Sequence, residues 1–170
     1  MSDPVDLVMQ FLKDEYVGKG FIKTVMDGDP GAIPQFDMPC LIVEKLEDQS
    51  ANGATGLQEV TDSLVIKVVM DKREDFPDPQ ATQVDTANLT GRKLRMFIEA
   101  RDPDSRQRYA EGSLRRVVLN RFEAEGIAQN SSVRVQYGVA ERPDYQLTAE
   151  GHLTLTYTYL MQNPRYLQSP

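Results

Sequence analysis

In the stretch 150-EGHLTLTYTYLMQNPR-165, Leu153, Leu155, Tyr157, Tyr159 and Met161 fall on one side of an extended chain, and Thr154, Thr156 and Thr158 fall on the other. Side chains of a strand alternate between its two faces, so one side of this run suits a core and the other a wetter surface. The alternation begins at Tyr145 and covers 17 residues. That is about 55 Å at ~3.3 Å per residue, where a usual strand has about 5 or 6 residues. Such a length predicts a bend or bulge near Glu150–Gly151, because a glycine inside a strand commonly marks one. It also poses a choice between the buried middle of a sheet and an edge offered to a partner, and the expectation is the second.

Working outward, 132-SVRVQYGV-139 sends Val133, Val135, Tyr137 and Val139 to one face and joins the long run through the turn 141-ERPD-144. In 59-EVTDSLVIKVVMDK-72, Leu64, Ile66, Val68 and Met70 alternate with Val65, Lys67, Val69 and Asp71, and the first four define an inner face. A further strand is expected at 40-CLIVEKL-46 and a short one within 18-GKGFIKTVM-26. Residues 46–58, with Asp48, Asn52, Gly53 and Gly56, are small and polar and predict a flexible arm between two strands. Helices are expected at 2-SDPVDLVMQFLKDEY-16, where Asp3 caps and Pro4 suits the first turn, and within 88-NLTGRKLRMFIEAR-101 and 112-GSLRRVVLNRFEAEG-126. Residues 27–38 and 73–91 are rich in Pro, Gly and Asp and read as irregular loops. The order of elements predicts one α+β domain over residues 1–170, a mostly antiparallel sheet with helices packed on one face and a long C-terminal strand.

Hydrophobic residues make up 40% of the 170, enough to close a core without metal or disulfide staples. Cys40 is the only cysteine and lies in the apolar run PCLIV, where a buried thiol is the plain expectation. No apolar run approaches the ~20 residues that span a bilayer, and the first residues are acidic, so the expected setting is a cytoplasm, with no membrane partner. The net charge of −7 disfavours sequence-independent nucleic-acid binding. The charge is unevenly spread. Residues 1–90 carry 7 Lys+Arg against 17 Asp+Glu, whereas residues 91–170 carry 12 against 9. Halves of opposite sign can close on each other within a monomer, or bring unlike surfaces of two copies together.

No pattern of residues announces a reaction or a cofactor. His152 is the one histidine and points with the threonines, Cys and His do not cluster as zinc needs, and GKGF at 18–21 lacks the rest of a phosphate loop. A pair of carboxylates that meet only in space leaves no linear trace, which keeps a small carboxylate-dependent hydrolase or nuclease as the enzyme reading. A sheet-edge peptide-binding adaptor is a further alternative. Arginine is the enriched group: nine Lys+Arg lie between Gly91 and Arg121, Arg108, Arg115 and Arg116 among them. These form a solvated helix face, a subunit interface, where arginine favours planar paired contacts, or a weak contact with DNA phosphates.

The layout resembles the tail terminator (tail completion) and related neck proteins of long-tailed bacteriophages. The resemblance rests on the N-terminal helix DPVDLVMQFL, the proline-led strand MPCLIVEKL, the loop and long strand DSLVIKVVMDKREDF, the helix SLRRVVLNRF and the closing strands SVRVQYGV and HLTLTYTYLMQ. It implies a structural virion protein, a homo-oligomeric ring, commonly of six copies, that caps the tail tube and docks to the head connector. It also implies contacts with the tail tube protein and neighbouring neck proteins, and genome DNA passing through the lumen without specific binding. The long irregular segments also fit head-closure or head-tail joining neck proteins. On this reading the chain is assembled in the host cytoplasm and resides in the virion. Its subunit interface would draw on Arg108, Arg115, Arg116, Tyr157 and Tyr159, with the closing strand's edge or the 46–58 arm adding to a neighbour's sheet.

Overall fold

A computed structural model describes residues 3–52, 57–75, 89–124 and 130–162. Helix α1 (Pro4–Tyr16) begins where Asp3 accepts the Val5 N–H at 2.9 Å, and it buries Val5, Val8, Phe11 and Leu12. Helix α2 (Leu89–Glu99) buries Leu94 and Ile98, and α3 (Leu114–Ala124) buries Leu114, Val118 and Phe122. These stripes share one core with Leu64, Ile66, Val68 and Met70, so all three helices lie on one face of the sheet. Phe11 meets Phe122 edge to face, with centroids 6.1 Å apart, and Phe122 packs on Tyr157 at 5.0 Å.

The sheet contains β1 (Thr24–Asp27), β2 (Cys40–Asn52), β3 (Leu57–Asp71), β4 (Asn130–Arg142) and β5 (Gln146–Gln162), in the order β1-β2-β3-β5-β4. β1 runs parallel to β2 and every other neighbouring pair is antiparallel, so the fold is α+β with a mostly antiparallel sheet. The short strand expected within 18–26 begins only at Thr24, after Gly18 and Gly20 take φ of 77° and 136°.

The closing strand overturns two expectations. β5 is not an edge: it pairs with β3 from Leu57↔Gln162 to Asp71↔Thr148 and with β4 from Asn130↔Thr158 to Arg142↔Gln146. Nor is there a bulge at Gly151, because neighbours of 15 and 13 residues match β5's 17 closely enough to keep it in register throughout. Gly151 serves close packing instead. A Cβ built there would lie 2.4 Å from Ile98 Cδ1 and 3.3 Å from a Tyr137 ring carbon. The register shift falls in β2, between Lys45 and Glu47.

The arm expected at 46–58 is mostly ladder. Glu47 to Asn52 pair with Ser63 to Gln58, so Asp48 and Asn52 belong to β2, and β3 opens at Leu57; Gly53 and Gly56 lie outside the described residues. Small polar residues hold a ribbon here because backbone hydrogen bonds do not depend on side-chain character. Of the two irregular segments, 27–38 runs through bends and a 3-10 turn at Gln35–Asp37, and 73–91 begins in a 3-10 turn at Lys72–Asp75 and ends in α2. The inner face of β3 is as expected, but its other face is also covered at one end. Val69 packs there with Ile33, Met38, Cys40 and Ile42.

Candidate assembly surfaces

The connection between α2 and α3 gathers the arginines around Tyr109. The guanidinium groups of Arg101 and Arg115 lie 4.2 and 4.8 Å from its ring centroid, and Arg116 donates to its carbonyl at 3.0 Å. Arg115 also donates to Glu99 at 2.6 Å and to the Val133 carbonyl at 3.4 Å, which ties α3 to α2 and β4. Arg115 and Arg116 are therefore half-buried structural residues, while Arg106 and Arg108 stay exposed to solvent.

Tyr157, expected at a subunit interface, is buried within its own chain, and Tyr159 is half-buried beside it. Both hydroxyls donate to Asp62 Oδ2 at 3.2 Å, and Lys45 Nζ stands 3.8 Å from Oδ1. Burial first, and the facing Asp62 carboxylate second, push the Tyr157 hydroxyl's pKa well up, so it stays a donor. A sequence reads Tyr157 as one of a row of alternating residues; it does not reveal that helices cover the row on that side.

On the face away from the helices lies a charged cluster that pattern reading missed. Asp29 accepts from Lys67 Nζ at 2.9 Å, from Arg142 at 2.6 and 3.1 Å, and from the Gly31 N–H at 2.9 Å. Glu44 completes the ion pairing of Lys67 at 2.7 Å. Glu150, 5% exposed, accepts from Arg142 Nε at 2.7 Å, Thr148 Oγ1 at 2.8 Å and His152 Nε2 at 2.7 Å. Burial would raise both carboxyls, but these donors outweigh it: Asp29 is held far below the usual carboxylate range and Glu150 at about 2. Gln146 adds a two-way bond to the backbone of Ile33, at 2.9 and 2.5 Å. The cluster clamps segment 28–33 to the sheet, with every carboxylate oxygen of Asp29 and Glu150 already given a donor. The available signal was Lys67 and Glu150 standing as charges inside long alternating strands; that Lys67 lies directly opposite His152 is known only from the register.

Cys40 is buried, and burial pushes its thiol up to about 12, away from thiolate chemistry at neutral pH. Among the described residues no group of three His, Cys, Asp or Glu side chains is placed to hold a metal, and no helix is long and apolar enough to cross a membrane.

The two margins of the molecule differ in charge. α1 packs on β1 and β2 at one side of the sheet, while α3 packs on β4 at the other and α2 on β5 beside it. Residues 3–27 and 40–52, which make the first margin, carry 4 Lys+Arg against 8 Asp+Glu, whereas residues 89–124 and 130–142 carry 11 against 6. An acidic and a basic set of elements thus stand at opposite margins of one sheet. The chain matches no family model and no curated protein.

Proposed function

We propose that this chain is a ring-forming structural virion protein of the phage head-tail junction, a tail terminator that caps the tail tube and docks to the head connector. The observation that supports this reading is the placement of an acidic and a basic flank at opposite margins of one sheet. Surfaces that differ within a copy favour head-to-tail contacts, and head-to-tail contacts that close make rings. The position at the head-tail junction rests on the resemblance in layout. The same flanks serve a head-closure or head-tail joining protein, and the partner captured tells the two apart.

The test is light scattering of the purified protein, alone and with tail tube protein. A multimer near six times 19.2 kDa is expected. Exchanging the exposed pair Arg106→Glu and Arg108→Glu should weaken assembly at least tenfold while the thermal midpoint stays within a few degrees. A monomer indifferent to tube protein would reject the ring and leave the sheet-edge adaptor, which the open side of β4 favours.

A further inference from the structure

The outer edge of β2 is mostly bare. β1 pairs only with Cys40–Val43, so among the described residues no strand lies beyond Glu44–Asn52. Lys45–Ala51 are exposed on both faces of the ribbon, which means that no helix covers them. At the other margin, among the described residues, β4 pairs only with β5, over its 13 residues, and Gln136–Val139 are exposed in succession. Neither stretch holds a proline, one of the devices by which monomeric sheets blunt their edges.

Direction and charge then limit what fits. β2 and β5 run one way, and β3 and β4 run the other. If a copy is set beside the next by rotation about an axis along the strands, β4 of the first lies antiparallel to β2 of the second, the better of the two pairings. The facing charges differ: Glu47 and Asp48 stand on β2, Arg134 on β4. Pairing β2 with β2 would bring two acidic runs together, and pairing β4 with β4 would leave Arg134 with no Glu47 or Asp48 to face, so the mixed ladder suits the charges better. The register shift at Lys45/Glu47 separates the part of β2 that β1 covers from the regular run Glu47–Asn52, six residues, about a usual strand.

We infer that copies of this chain join through an antiparallel ladder between β4 of one copy and Glu47–Asn52 of the next, which makes the sheet continuous from subunit to subunit. The inference rests on the head-to-tail reading above and adds the surface that makes the contact.

Cysteine trapping tests it. Arg134, Gln136 and Gly138 on β4 and Glu47, Gln49 and Ala51 on β2 share the face away from the helices, by their registers with β5 and β3. A Cβ at Gly138 meets no atom within 4 Å, and the native Cys40 is buried and does not compete. Single-cysteine variants of β4 are mixed with single-cysteine variants of β2 in a thiol-exchange buffer, at concentrations where the parent assembles. At least one mixture should give a disulfide-linked dimer on a denaturing gel, at ten times or more the yield of either variant alone. A β4 variant that links to itself would overturn the ladder in favour of a two-fold dimer. No link in any mixture, with the multimer still present in light scattering, would overturn the ladder and leave the ring standing. No link and no multimer would remove both.

Discussion

Asp75 shows how much one carboxylate can settle. It is fully buried, ion-paired with Lys72, and accepts from the Thr90 N–H at 2.6 Å and the Thr90 hydroxyl at 2.9 Å, so it caps α2 from outside the helix. A negative charge at a helix N-terminus is favourable, and its removal here also takes the ion-pair partner from a largely buried ammonium. Asp75→Ala should therefore cost about 3 kcal/mol in urea unfolding, whereas Arg73→Ala should cost clearly less because that partner of Asp71 is mostly exposed. Equal costs would show that burial does not govern these pairs. The same contrast separates Arg115, locked to Glu99, from exposed Arg108, two residues that look alike in the sequence. Partners such as Asp29 and Arg142 stand 113 positions apart, and no local pattern connects residues so distant.

At the scale of elements, local rules carried further. The cap and stripe of α1, the alternation of β3 and the stripes of α2 and α3 all follow from neighbours a few residues apart, which is what a sequence displays. Strand order does not follow from such rules. β5 lies between β3 and β4 because each of its two edges is met by a strand of similar length, a fact that belongs to the partners. Gly151 was misread for the same reason. It marks not a bulge but the approach of Ile98 from α2, and the helix was the missing information. Gly151→Ala should lower stability by roughly 1–3 kcal/mol by overpacking, and Ile98→Val, which removes the crowding Cδ1, should recover much of that loss in the double variant. Simple additivity of the two changes in a double-mutant cycle would refute the contact as the reason for the glycine.

For the molecule as a whole, the charged cluster on the helix-free face sets the response to acid. A carboxyl whose pKa is held down in the folded state binds its proton less readily there than in the unfolded chain. Glu150, lowered from 4.5 to about 2, thus adds stability that is complete above its unfolded pKa and is lost as pH falls through that interval; Asp29 acts in the same sense. Unfolding free energy should be nearly flat from about pH 8 to pH 5 and drop steeply below. Glu150→Gln should be less stable at neutral pH with a shallower drop, and a drop as steep as the parent's would place the acid response elsewhere. The position of β5 has a different consequence, one of timing. The strand that joins β4 to the rest of the sheet is the last of the five that a ribosome makes, and its contacts with β3 are distant along the chain, so folding should be slow to nucleate. Until translation passes Gln162, β4 has no strand to lie against, and the flank that it would offer to a neighbour is unfinished. If copies join as proposed, synthesis itself would keep unfinished ones out of the ring.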